Sequence, residues 1–130
     1  MTNVTLTRIL YVEDEPDIQA VARVALEAVG GFTVEICGSG QEALDKAPAF
    51  NADLILLDVM MPGMDGPATL AKLRQLPGLA EKPVIFMTAK VQPHEVAQYK
   101  ALGALDVIAK PFDPMRLSDQ IKVIWERHHG

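Results

Sequence analysis

Short apolar runs alternate along this chain with longer stretches in which apolar residues recur every three to four positions. Four runs, Ile9-Leu10-Tyr11-Val12, Leu54-Ile55-Leu56-Leu57, Val84-Ile85-Phe86-Met87 and Val107-Ile108-Ala109, have the length and unbroken apolarity of strands buried on both faces. The pattern predicts strands over about Arg8–Val12, Thr33–Cys37, Asp53–Leu57, Val84–Thr88 and Asp106–Ala109. A helix follows each strand. The first opens at Pro16, presents Ile18, Val21, Ala22, Ala25 and Val29 on one face, and closes at Gly30-Gly31. The second opens at a capping box formed by Ser39 and Glu42 and ends at Pro48. The third covers about Pro67–Leu76 and buries Leu70 and Leu73; the fourth runs from Pro93 to Gly103. The fifth takes Asp113 as its N-cap and Pro114 as its first residue, and buries Leu117, Ile121 and Ile124. Strict strand–helix alternation predicts right-handed crossover units and a parallel sheet.

Parallel strands place the residues beyond their carboxyl ends along one edge, where open α/β sheets bind ligands. Those residues here are Glu13 and Asp14, Asp58, Thr88 and Lys110. Three carboxylates from two strand ends suit Mg²⁺, a hard cation that takes oxygen ligands and accepts one or two carboxylates directly. An ammonium and a hydroxyl at the same edge suit a phosphoryl group. Each residue alone has a plainer reading: Glu13-Asp14 as solvated strand-end charge, Thr88 as a β-branched strand residue. Their shared placement is what points to chemistry. Lys110-Pro111 is also a candidate cis peptide.

The chain has 130 residues and a net charge of −5, and nearly half of its residues are hydrophobic. This predicts one domain, 1–130, with a core over about 8–126, and no strong nonspecific attraction to nucleic acid. No apolar run approaches the length of a membrane span. The segment Met1 to Thr7 lacks the charged start and apolar stretch of a secretory signal. The single cysteine, Cys37, cannot form an internal disulfide and reads as a buried, inert thiol. A cytoplasmic location is expected, with no direct nucleic-acid or membrane partner.

The acidic pair Glu13-Asp14, the run Leu56-Leu57-Asp58-Val59-Met60-Met61-Pro62-Gly63-Met64-Asp65-Gly66, the pair Thr88-Ala89 and the tripeptide Lys110-Pro111-Phe112 together resemble the receiver domain of bacterial two-component response regulators, in a single-domain, chemotaxis-regulator-like form. The resemblance implies a flavodoxin-like, doubly wound (βα)5 three-layer sandwich with a five-stranded parallel sheet of order 2-1-3-4-5. It implies that Asp58 accepts a phosphoryl group from a phosphohistidine of a sensor histidine kinase or histidine phosphotransfer protein. Mg²⁺, with Mn²⁺ as a substitute, would be held by Asp14, Asp58 and the backbone carbonyl of Met60, with Glu13 acting through a bound water. Lys110, Thr88 and the N–H of Ala89 would cradle the phosphoryl group. Thr88 would report phosphorylation to the surface around the fourth helix, fifth strand and fifth helix, the face that meets a downstream protein or a second copy. The chemistry implied is self-catalysed phosphoryl acceptance and slow autodephosphorylation rather than turnover of a separate substrate.

In one respect the chain departs from the resemblance. An aromatic residue is expected three positions before the lysine and takes part in switching, whereas this chain has Val107. A buried strand valine accounts for that position, which leaves Thr88 and the loop after the fourth strand as the route for a signal. Two other functions fit the same fold. A metal-dependent phosphatase using an aspartyl phosphate needs an acid two residues after the nucleophile, where this chain has Met60. A flavin carrier needs a Ser/Thr/Gly-rich phosphate loop after the first strand, where this chain has Glu13-Asp14-Glu15-Pro16. The chain is either a standalone regulator, which the short tail after Trp125 favours, or the receiver of a longer transcription regulator. Met60, Met61 and Met64 are expected to cover the helix after Asp58, His94 to be solvated, and Trp125 to join the core or meet a partner. His128 and His129 form either a frayed tail or a metal-binding pair.

Overall fold

Every strand lies where its apolar run predicts, and all five pair in parallel. The computed structural model describes residues 5–129. Its strands are β1 Arg8–Val12, β2 Thr33–Cys37, β3 Leu54–Asp58, β4 Val84–Thr88 and β5 Asp106–Ala109, in the order β2-β1-β3-β4-β5. Helices α1 Pro16–Arg23, α2 Gly40–Phe50, α3 Gly66–Leu73 and α4 Pro93–Ala101 lie in the crossovers, and α5 Leu117–His129 follows β5. This is the flavodoxin-like doubly wound sandwich. The readings placed on Met1 to Val4 and on the His129 side chain lie outside what is described.

Strand residues alternate between two cores. Ile9, Tyr11, Leu54, Leu56, Ile85, Met87 and Ile108 pack with Ala22, Ala25, Leu26, Leu117, Ile121, Ile124 and Trp125 on one side. Leu10, Val12, Ile55, Leu57, Val84 and Phe86 pack with Ala43, Ala47, Leu70 and Leu73 on the other. Each buried Val, Leu, Ile, Phe or Met among them contributes about 1.5–3 kcal/mol through removal from water. Both faces of the sheet are thereby covered, and the carboxyl ends of β1, β3, β4 and β5 are left to form the site.

Several boundaries differ from expectation for local reasons. The first helix continues beyond Arg23 as a π-helical segment, Val24–Val29, before Gly31 turns with φ +76°. This wider winding breaks the 3.6-residue pattern. Ala22, Ala25 and Leu26 are the buried residues, while Val21 and Val29 face solvent. The segment winds around α5: buried Ser118 donates its hydroxyl to the Ala25 carbonyl at 2.7 Å, and the Gly30 N–H reaches the same oxygen at 3.2 Å. Pro48 does not end α2. The helix continues to Phe50, and Asn51 closes it in the left-handed conformation. Ser39 caps that helix by accepting the Glu42 N–H at 3.1 Å, but the Glu42 carboxylate reaches back to the Gly38 N–H rather than to that of Ser39. Asp113 accepts the Met115 N–H and caps a separate turn, and α5 begins only at Leu117.

Candidate functional site

The edge built by the strand ends gathers charge on largely buried side chains. Glu13 follows β1 and is fully buried, Asp58 ends β3 at 3 % exposure, and Asp14 is half-buried. One carboxylate oxygen from each of these three residues lies within 4.8 Å of the other two. Lys110, just past β5, places Nζ 2.7 Å from Glu13 Oε1 and 3.2 Å from Asp58 Oδ1. Three negative charges thus face one positive charge, an imbalance that favours a divalent cation.

Glu13 is fully engaged by the protein. Its Oε1 accepts from Lys110 and from the Tyr11 hydroxyl at 3.1 Å, and its Oε2 accepts the Glu15 N–H at 3.2 Å. Asp14 accepts no hydrogen bond among the described residues, so its lone pairs face the cluster uncommitted. The donor set therefore fits a hard cation through Asp14 and Asp58, with Glu13 held one step back by its own hydrogen bonds.

Burial pushes the Asp58 carboxyl up to about 6, the Glu13 and Asp14 charges add to that rise, and Lys110 opposes it. Burial alone would pull the Lys110 ammonium down, but its bonds to Glu13 and Asp58 and their charges outweigh that and raise it. Burial and the neighbouring Glu13 charge push the Tyr11 phenol far up, so it stays a donor.

Thr88 ends β4 one position beyond Met87, the register partner of Asp58, and is 2 % exposed. Its Oγ1 accepts the Lys90 N–H at 3.1 Å, which ties the turn after β4 to the strand end. Ala89 is exposed, and its N–H donates no hydrogen bond among the described residues. Lys110-Pro111 is a cis peptide. The loop after Asp58 returns so closely that a Cβ on Gly66 would lie 2.6 Å from the Asp58 carbonyl oxygen.

Two expectations fail here. Met60 does not cover the neighbouring helix; its side chain is 67 % exposed, whereas Met61 is buried. Val107 is half-buried rather than buried, because β5 is an edge strand and α4 leaves it partly open. It pairs in register with Phe86, whose ring meets Tyr99 of α4 at 5.3 Å. Glu13, expected to act through a bound water, keeps its place in the acidic cluster while its oxygens accept from Tyr11, Glu15 and Lys110. Tyr11 belongs to an apolar strand run in the sequence, and its hydroxyl adds a donor to the site. Its spacing of two before Glu13 puts both on one side of the strand. Cys37 is buried, with its thiol pushed up to about 12 by burial and by the charge of Glu42. His94 is exposed and Trp125 is in the core. No helix among the described residues is long and apolar enough to cross a membrane.

Residues 9–122 match the family model described as a response regulator receiver domain. The alkaline phosphatase synthesis transcriptional regulatory protein PhoP of Bacillus subtilis is 37 % identical over 120 residues, which are 92 % of this chain and 49 % of that protein. The transcriptional regulatory protein DltR of Streptococcus agalactiae is 40 % identical over 116 residues, 89 % of this chain and 50 % of that protein. The chain spans about half the length of these curated relatives. The solved chemotaxis response regulator CheY4 of Vibrio cholerae superposes with a TM-score of 0.83 at 30 % identity, covering 92 % of this chain and 99 % of that one. The signal receiver domain of a signal transduction histidine kinase from Syntrophus aciditrophicus gives 0.77 at 34 % identity, covering 93 % and 91 %.

Proposed function

This chain belongs to the response regulator receiver domain family, and from that premise we propose that it is a phosphorylation-dependent switch whose phosphoacceptor is Asp58. The observation that carries the reading is the placement of the Lys110 ammonium between buried Glu13 and Asp58, beside uncommitted Asp14. Phosphoryl transfer needs positioning and charge neutralisation more than covalent help from the protein. An Asp58 oxygen attacks phosphorus, the bond to the phosphohistidine nitrogen breaks, and its electron pair returns to the imidazole. As the new dianion forms, Lys110 moves from the carboxylate to a phosphoryl oxygen, and the Thr88 hydroxyl and Ala89 N–H donate to others. A divalent cation, Mg²⁺ or Mn²⁺, held by Asp14, Asp58 and the Met60 carbonyl would supply the remaining positive charge.

The donor would be a sensor histidine kinase or a histidine phosphotransfer protein. Turning Thr88 toward the phosphoryl group releases the Lys90 N–H, so the turn after β4 relaxes and the α4–β5–α5 face changes. On that face Asp106 lies between Lys100 at 3.8 Å and Arg127 at 3.7 Å, a charged surface suited to a downstream protein or a second copy. A water-filled site with an acid two residues after Asp58 would favour phosphatase turnover; exposed Met60 supplies no such acid. The two curated relatives above are named as transcriptional regulators, which supports a second reading, the same switch as the receiver part of a longer regulator. The test is intact-mass analysis after incubation with Mg²⁺ and acetyl phosphate. The wild type should gain one phosphoryl mass, and a chelator or Asp58→Asn should abolish it.

A further inference from the structure

Tyr11 is fully buried among the apolar residues of one core, yet it carries a hydroxyl. That hydroxyl meets the same carboxylate oxygen, Glu13 Oε1, that Lys110 grips at 2.7 Å. Two donors on one oxygen compete, because each withdraws charge that the other would use. Glu13 Oε2 is held separately by the Glu15 N–H, so the carboxylate is pinned at both ends. Lys110 also lies 3.2 Å from Asp58 Oδ1, so any strengthening of its bond to Glu13 draws it from Asp58.

We propose that Tyr11 is a positioning residue for phosphoryl acceptance: its hydroxyl fixes the Glu13 carboxylate and tempers its hold on Lys110, which leaves the ammonium shared with Asp58. The proposal rests on the reading of Asp58 as phosphoacceptor. In Tyr11→Phe the ring and its packing remain, and only the donor is lost. A buried carboxylate that loses one donor holds the remaining cation harder. Lys110 then sits on Glu13, and Asp58 and the incoming phosphoryl group lose part of its charge.

The experiment measures the rate of phosphoryl gain from acetyl phosphate at saturating Mg²⁺ for the wild type, Tyr11→Phe, Glu13→Gln and the double variant. Tyr11→Phe should slow the wild type about five-fold, the scale of one charge-assisted hydrogen bond redistributed. In the Glu13→Gln background it should have no further effect, because the hydroxyl acts through the Glu13 carboxylate. Ile9→Val, which trims the same core without touching the site, should leave the rate unchanged. A second readout needs no metal: the ¹H–¹⁵N signal of the Lys110 ammonium, assigned by its loss in Lys110→Arg, should shift in Tyr11→Phe and not in Ile9→Val. If Tyr11→Phe fails to fold, Tyr11→Met removes the same hydroxyl and serves in its place. An unchanged rate, or the same slowing in both backgrounds, would make Tyr11 a packing residue and overturn the proposal alone. A wild type that gains no phosphoryl group overturns the underlying reading of Asp58 and the proposal with it.

Discussion

Lys110 Nζ lies 2.7 Å from Glu13 Oε1, a contact between residues 97 positions apart that closes β1 onto β5 across the carboxyl edge of the sheet. Asp58 shares the same ammonium at 3.2 Å. The site is therefore held together by one cation that two carboxylates need, and its energetics depend on whether Asp58 is ionised.

An unfolded aspartate titrates near about 4, whereas folded Asp58 is pushed up to about 6. Between these values the folded state binds the extra proton, so stability falls as pH rises from about 4 to about 6 and is level above that. Asp58→Asn removes the penalty. In a chelator at pH 7.5 it should raise the unfolding free energy by about 1–2 kcal/mol. At pH 4, where Asp58 carries its proton, the gain should vanish. Urea denaturation at both pH values measures this; an equal gain at both would place its origin elsewhere.

Gly66 begins α3 against the Asp58 end of β3, and its N–H donates to the Val59 carbonyl at 2.9 Å. A Cβ there would meet backbone atoms, the Asp58 carbonyl oxygen at 2.6 Å and Val59 Cα at 2.8 Å. Backbone cannot move aside as a flexible side chain can. Gly66→Ala should cost about 2–3 kcal/mol and slow phosphoryl gain by shifting Asp58. Thermal unfolding and the acetyl phosphate assay check both effects.

A Cβ on Gly30 would lie 2.1 Å from Ser118 Oγ and 2.8 Å from the Leu26 carbonyl oxygen. Gly30→Ala should therefore destabilise by about 2–3 kcal/mol. Ser118→Ala alone should cost about 1 kcal/mol, because the Ala25 carbonyl keeps its bond from Gly30. The double variant should cost less than the sum, since removing the hydroxyl relieves the shortest clash but leaves the Leu26 carbonyl and the Ser118 Cβ, each at 2.8 Å. A denaturation cycle reads the coupling.

Much of the fold is legible in the chain because apolar runs and turn residues carry it. The five strands, their parallel pairing and the gathering of Glu13, Asp14, Asp58 and Lys110 all follow from unbroken runs ended by polar residues. What sequence spacing does not show are features set by tertiary contact. The π-helical segment exists where Ser118 of α5 meets Ala25, and neither residue is unusual alone. Pro48 lacks the N–H that would reach the carbonyl four residues earlier, yet α2 runs on through Phe50 to the left-handed cap at Asn51. Met60 is exposed because the loop turns Met61 inward instead. The pairing of Tyr11 with Glu13 follows from the two-residue period of a strand, whereas the apolar run around Tyr11 carries no mark of its hydroxyl's partner.

Thr88 Oγ1 holds the Lys90 N–H, so this hydroxyl is the tether between the site and the turn after β4. Thr88→Ala should speed amide exchange at Lys90 about ten-fold, the loss of one modest hydrogen bond. Val107→Ala should leave that exchange unchanged, because the half-buried valine packs against the cluster of Phe86 and Tyr99 and makes no bond to the turn. Hydrogen exchange followed by NMR distinguishes the two.

The most direct measurement locates the phosphoryl group after reaction with a small phosphodonor and Mg²⁺, by trapping the acyl phosphate and mapping the peptide that carries it. The account predicts one modified carboxylate, Asp58, and none in the same peptide of Asp58→Asn. Modification at Asp14, at a hydroxyl or histidine side chain, or persisting in Asp58→Asn, would contradict it.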